Sequence, residues 1–162
     1  MPVTFNSTAY AVQIAPTLRS RLVPLQLTAG VMFANVRYVM LGTEAQGDFI
    51  NLIRLPKGAQ VVPHLSSVTT DGIATTATLD IGDDDALGVG AAADADRYAD
   101  GLDVAAAGID LFSANACAAR LTPYSLGTDP DNAIICEFKT LVTPVAAKIL
   151  NFLIAYRIAA GK

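Results

Sequence analysis

The sequence predicts an all-β protein, a jelly roll or antiparallel β-sandwich in a single domain with one long Asp/Ala/Gly-rich loop. Three observations carry that expectation. Apolar and polar residues alternate with period two in segment after segment. Turn residues recur between those segments at close spacing. The long helical crossovers that a parallel α/β sheet requires are not visible.

The chain divides into residues 1–21, an extended arm or first strand, and residues 22–162, the sandwich. The arm, "MPVTFNSTAYAVQIAPTLRSR", is uncharged until Arg19, and its two prolines favour extended backbone over helix. Short strands are predicted at 21–28, 48–55, 59–68, 108–113 and 117–122. In 31–41, Met32, Ala34, Val36, Tyr38 and Met40 share one face, with Asn35 and Arg37 opposite. In 73–81, Ile73, Thr75, Ala77, Leu79 and Ile81 fall on one side, and Ala74, Thr76, Thr78 and Asp80 on the other. Ile134, Cys136 and Phe138 oppose Glu137 and Lys139 in the same way. Residues 148–158 suit a strand with Leu150, Phe152, Ile154, Tyr156 and Ile158 on one face. The neighbouring alanines also permit a helix, but Pro144 and the β surroundings favour the strand. Turn chemistry punctuates the chain at Gly30, Gly42, Gly47, "LPKGA" (55–59), "TDG" (70–72) and "GTDPDN" (127–132). "LPKGA" fits a tight reversal between two strands. One interruption, 83–103, is longer than most loops in compact domains. Nine of the fifteen acidic residues lie between Asp80 and Asp110, against the single basic residue Arg97, so the acidity belongs to one edge of the molecule.

Composition narrows the function classes. A chain of 162 residues that is 52% hydrophobic and 16% charged can bury a substantial core. A net charge of −4, with basic residues scattered singly apart from Arg19 and Arg21, argues against nucleic acid. Residues 1–21 lack the basic start and apolar run of a signal peptide. The most apolar window, 149–156, is too short to cross a bilayer as a helix. Cys117 and Cys136 are far apart in apolar surroundings, which fits two buried reduced thiols, a disulfide being the alternative. With one histidine, His64, the chain lacks ligands for a zinc site.

The acidic stretch "LDIGDDDALGVG" (79–90) poses the main chemical question. Measured against an EF-hand loop from Asp83, it offers Asp85, Gly88 and Asp94 at the third, sixth and twelfth positions. Leu87 spoils the fifth, and no helices flank it. An irregular calcium site from Asp80, Asp83 and Asp85 is one reading; the preferred one is a solvated strand end whose charges keep an edge in water. Adjacent aspartates in a Gly/Ala-rich loop offer no apolar walls for acid–base chemistry. No "GxSxG" elbow exists, and "GVGAAADADR" (88–97) lacks a Gly-Lys-Ser/Thr ending. Catalytic residues, metals and cofactors are therefore not expected, and the chain reads as a protein that binds by shape. A calcium-dependent carbohydrate-binding module would use the aspartates, but the chain has no Trp and only 7% aromatics.

Three segments in order, "GDFINLIRLPKGAQV" (47–61), "DGIATTATLDIGDDD" (71–85) and "DADRYADGLDVAAAG" (94–108), resemble the capsid cement, or decoration, proteins of tailed bacteriophages, of the type found in a Bordetella phage. The resemblance covers 47–108, and more loosely 148–158. It implies a small jelly roll that trimerises on the outer surface of the virion's icosahedral head and clamps neighbouring major capsid subunits, after assembly in the host cytoplasm. The family carries no catalytic residues, and the "ALGVGAAAD" insert lengthens a loop here. In that setting the arm lies across a neighbouring subunit, with Arg19 and Arg21 meeting acidic partners, or simply forms the first strand with a frayed tip. A mean hydropathy of +0.43 is high for a small monomer and fits a homotrimer. Another virion β-sandwich, at the head–tail junction or tail surface, is the alternative.

Overall fold

A computed structural model describes residues 4–6 (backbone), 30–84, 94–114, 125–126 and 133–158. Among the described residues ten strands form two sheets: β1 (Thr4–Asn6), β2 (Val31–Val39), β3 (Phe49–Arg54), β4 (Ala59–Val61), β5 (Ser67–Asp71), β6 (Ala74–Asp83), β7 (Asp94–Asp103), β8 (Ala107–Leu111), β9 (Ala133–Pro144) and β10 (Ile149–Ile158). Sheet A runs β1-β3-β9-β6-β7. Sheet B runs β2-β10-β5-β8, with β4 also on β10. Every pair is antiparallel except β1 on β3, which is parallel. Among the described residues the only helical pieces are single 3₁₀ turns at Pro63–Leu65 and Phe112–Ala114. The fold is the expected antiparallel β-sandwich.

Alternation decides which side chains meet between the sheets. On β2 and at the residue after it, Val36, Tyr38 and Met40 are buried while Asn35, Arg37 and Val39 face out. On β10, Leu150, Phe152, Ile154 and Tyr156 are buried, which settles 149–158 as a strand; Ile158, at its end, is exposed. From sheet A, Ile50, Leu79, Ile81, Ile134, Cys136 and Phe138 complete the core, and Cys136 is a free thiol whose pKa burial pushes up. Phe112, from the second 3₁₀ turn, and Leu126 are also buried within this core.

Three expectations change. The strand expected at 59–68 is broken, because Pro63 cannot donate to a ladder and opens a 3₁₀ turn instead. Ser66 reconnects the pieces: its hydroxyl donates to Val62 O (3.0 Å) and accepts from Ala155 N (3.0 Å). "LPKGA" does turn, with Gly58 at φ +75°, but it carries the chain from sheet A to sheet B rather than closing a hairpin. The interruption at 83–103 is half strand: Asp94–Asp103 is β7, antiparallel to β6. Its Asp- and Ala-rich composition has low β propensity, and pairing with β6 overrides that.

The arm's residues 4–6 add β1 to the edge of sheet A, pairing Thr4 with Phe49 and Asn6 with Asn51. Arg19, Arg21, Asp85, Cys117 and the strands expected at 21–28 and 117–122 lie outside the described residues.

Candidate functional site

The acidic motif sits where β6, β7 and β9 meet, and its geometry follows from two bulges in β7. Leu79 pairs with Leu102 and Ile81 with Ala99, so Asp80 alone faces both Asp100 and Gly101. Gly101 sits at φ +67°, where a side chain would be strained, as bulges of this kind require. The bulge leaves an N–H off the ladder, and Asp80 takes it: Gly101 N donates to Asp80 Oδ1 at 2.6 Å. The second bulge is larger. Between the pairs Ile81–Ala99 and Asp83–Asp94, the single residue Gly82 faces residues 95–98. The β7 backbone presses so close that a Cβ on Gly82 would lie 1.8 Å from Asp94 O, so only glycine fits.

Asp83 staples this second bulge. Arg97 Nε donates to Asp83 Oδ2 at 2.7 Å, and Arg97 Nη1 stands 3.6 Å from Asp94 Oδ2. Asp83 is 0% exposed and Arg97 9%. A buried carboxylate without its cation would be very costly, so the two side chains act as one unit. Asp84 holds the start of β9: Ala133 N donates to its Oδ1 at 2.5 Å, and its own N–H donates to Ala133 O.

The solvated strand end expected from the sequence is therefore overturned. Asp80 (7% exposed) and Asp83 are buried, Asp80 beside Gly101 and Lys139 and Asp83 against Arg97. Nor do they converge. In register with β9, Asp83 shares the face of Leu79 and Ile81 and pairs with Ile134, whereas Asp80 pairs with Glu137 on the outer face. The calcium trio of Asp80, Asp83 and Asp85 thus has its first two carboxylates on opposite sides of a sheet. Among the described residues no group of three or more His, Cys, Asp or Glu side chains is arranged to hold a metal ion.

On the outer face Lys139 salt-bridges Asp80 (Nζ–Oδ2 3.4 Å) and hydrogen-bonds Asp100. Burial raises the Asp80 pKa more than Gly101 and Lys139 lower it. Glu137 is raised by burial and by Asp80, while Asp100 raises Lys139. Sequence reading saw Glu137 and Lys139 only as the wet side of a strand; the signal was there, but it becomes a site only once β9 is known to lie beside β6. Glu44 and Asp48 were missed altogether. Both are buried in the β2–β3 connection. Glu44 accepts from Tyr38 Oη (2.7 Å), Leu41 N (2.6 Å) and Gly42 N (2.8 Å); Asp48 accepts from Ala45 N (2.8 Å). Burial and Glu44 push the Tyr38 pKa upward. His64 lies exposed on the first 3₁₀ turn.

The opposite end of β6 looks different. There Leu41 (59% exposed) and Val145 (43%) stand out from turns made of small residues, and Val142 (50%) from the end of β9 beside them. Backbone bonds tie these turns together: Ala147 N to Met40 O, Met40 N to Lys148 O, Val145 N to Ile73 O, and Ile73 N to Val104 O. Gly42 (φ +82°) lies against Ala146, with room for a Cβ only 3.0 Å from that residue's own. Thr143 and Ala147 take positive φ (55° and 62°), a strain that tends to gather where function is located. This end offers exposed apolar side chains.

No family model and no curated protein matches the sequence. Among solved structures, a chain of the capsid of Ralstonia phage GP4 superposes with a TM-score of 0.71 at 20% identity, over 98% of this chain and all of that one. The two share a fold. A chain of the cyanophage Pam1 capsid asymmetric unit is similar over 90% of this chain and 99% of its own, at 16% identity and a TM-score of 0.44, too distant to support an argument.

Proposed function

We propose that the chain is a structural protein of a phage virion, a cement protein on the exterior of the head that binds the major capsid protein and stabilises contacts between its subunits. The observation that carries this reading is the correspondence in fold with a chain of the Ralstonia phage GP4 capsid, which extends over 98% of this chain and all of that one. The site geometry supports it. The described acidic side chains of the motif are bound to the protein's own backbone and cations, leaving surface fit as the working principle.

The contact face in this proposal is the apolar end, with Leu41, Val142 and Val145. Exposed apolar groups are the usual mark of such faces. A homotrimer multiplies modest contacts into firm attachment through avidity. The arm, with Arg19 and Arg21, is proposed to reach a neighbouring subunit beyond the three residues that form β1. Mixing the purified protein with heads assembled from the co-encoded major capsid protein tests the proposal: co-sedimentation, with electron microscopy showing density distributed over the whole head, is the expected result. Binding at a single vertex would favour a head–tail component, and no binding would overturn the reading. Deleting residues 2–15 tests the arm; undiminished binding defeats that part. Mass measurement at micromolar concentration tests the trimer, and a monomer both free and on heads removes it.

A further inference from the structure

We propose that Asp80 and Glu137 share one proton in mildly acidic solution, and that this proton fastens the outer face of sheet A. The inference rests on sheet geometry and burial and stands apart from the capsid reading. Asp80 on β6 and Glu137 on β9 are direct cross-strand partners. In such pairs the Cβ atoms lie about 4.5–5.5 Å apart, so two negative charges there oppose each other. Asp80 is buried and Glu137 partly so, which removes the water that would screen them.

The surrounding charges do not balance the pair. From β9 comes Lys139, whose ammonium is divided between Asp80 and Asp100. From β7 come two more acids, Asp100 and Asp96, both of which act on Asp80 or feel it. From β3, Glu137 meets Phe49, which brings no charge. From the core side Cys136 contributes only a neutral thiol held neutral by burial. Among the described residues Lys139 is the cation that acts on Asp80 and Glu137, and it is shared with Asp100, so the cheapest relief is a proton held between Asp80 and Glu137. Such a proton belongs to the pair rather than to either residue.

The direction of the pH dependence follows. Burial raises both carboxyl pKa values in the fold above their ordinary values. The folded state then binds the proton more readily than the unfolded chain. Stability is diminished near neutrality and rises as pH falls through the folded-state values, levelling off near the ordinary carboxylate range. This is opposite to the sign expected of a salt-bridged carboxylate.

Calorimetry of the full chain at pH 8 and pH 5, at fixed salt, tests the proposal. Tm is expected to rise on acidification by a few degrees, roughly 2–4 °C in a chain of this size. Glu137→Gln is expected to raise Tm at pH 8 by a similar amount and to flatten the pH response. Asp71→Asn, which removes one exposed acid on sheet B, is expected to keep the wild-type response. A wild-type response in Glu137→Gln, or equal flattening in Asp71→Asn, would overturn the proposal in favour of a general charge effect. Carboxyl ¹³C titration of the unmutated protein gives a second reading. Two-step curves with shared midpoints for Asp80 and Glu137 are expected, and independent one-step curves at ordinary values would overturn it.

Discussion

The two ends of β6 solve the same problem with different chemistry. At its start, turns from both sheets are drawn together by backbone-to-backbone hydrogen bonds, and small residues such as Gly42 and Ala146 allow the close approach. One buried carboxylate, Glu44, accepts from Leu41 N and Gly42 N there, while the side chains of Leu41, Val142 and Val145 face outward. At its finish, the bulges of β7 break the ladder, and carboxylates take over what the backbone cannot do: Asp80 satisfies a bulge N–H, Asp83 holds Arg97, and Asp84 holds the first residue of β9. The difference teaches that an acidic cluster can be a mark of irregular backbone rather than of reactive chemistry. Under the proposed function the roles separate as well: the acidic end maintains the fold, and the apolar end makes the contacts.

The sharpest way to break that division is to unpair the buried charges. Replacing Asp83 with Leu takes from Arg97 its fully buried carboxylate and leaves it the more distant Asp94, and a loss of about 3–5 kcal/mol is expected in denaturant unfolding. The double variant Asp83→Leu/Arg97→Leu is expected to recover most of that loss, because it removes both charges together. A double variant no better than the single one would show that the pair does more than neutralise itself. Gly82→Ala comes next. Its Cβ would collide with the β7 backbone, so about 3 kcal/mol or more is expected, with faster hydrogen exchange confined to β6 and β7. An unchanged protein would mean that β7 does not lie where the account puts it.

At the other end the expectation reverses. Leu41→Asp combined with Val145→Asp is expected to change stability by no more than about 0.5 kcal/mol per site while abolishing co-sedimentation with capsid heads. If those changes unfold the protein, the apolar end belongs to the fold after all.

Much of the fold was legible because alternation is local. The inward faces of β2 and β10 were written in Val36, Tyr38, Phe152 and Ile154, and the structure buries each of them. What local pattern could not show was pairing. β7 reads as a loop because Asp94, Ala95 and Asp96 disfavour strands, and only its partner β6 makes it one. For the same reason Asp80 and Asp83 read as wet: nothing within a few residues of them reveals Arg97, Gly101 or Lys139, which arrive from other strands. Pro63 was a local signal, and a proline inside an expected strand predicts the break that occurs there. Gly82, lodged in an otherwise strand-like run, marked the close approach of another backbone.

Hydrogen exchange of the protein free and bound to capsid heads tests the division of labour most directly. The account predicts new protection at residues 39–42 and 142–147, with 94–103 unchanged. Protection gained at 94–103 alone, with the apolar turns exchanging as before, would contradict it.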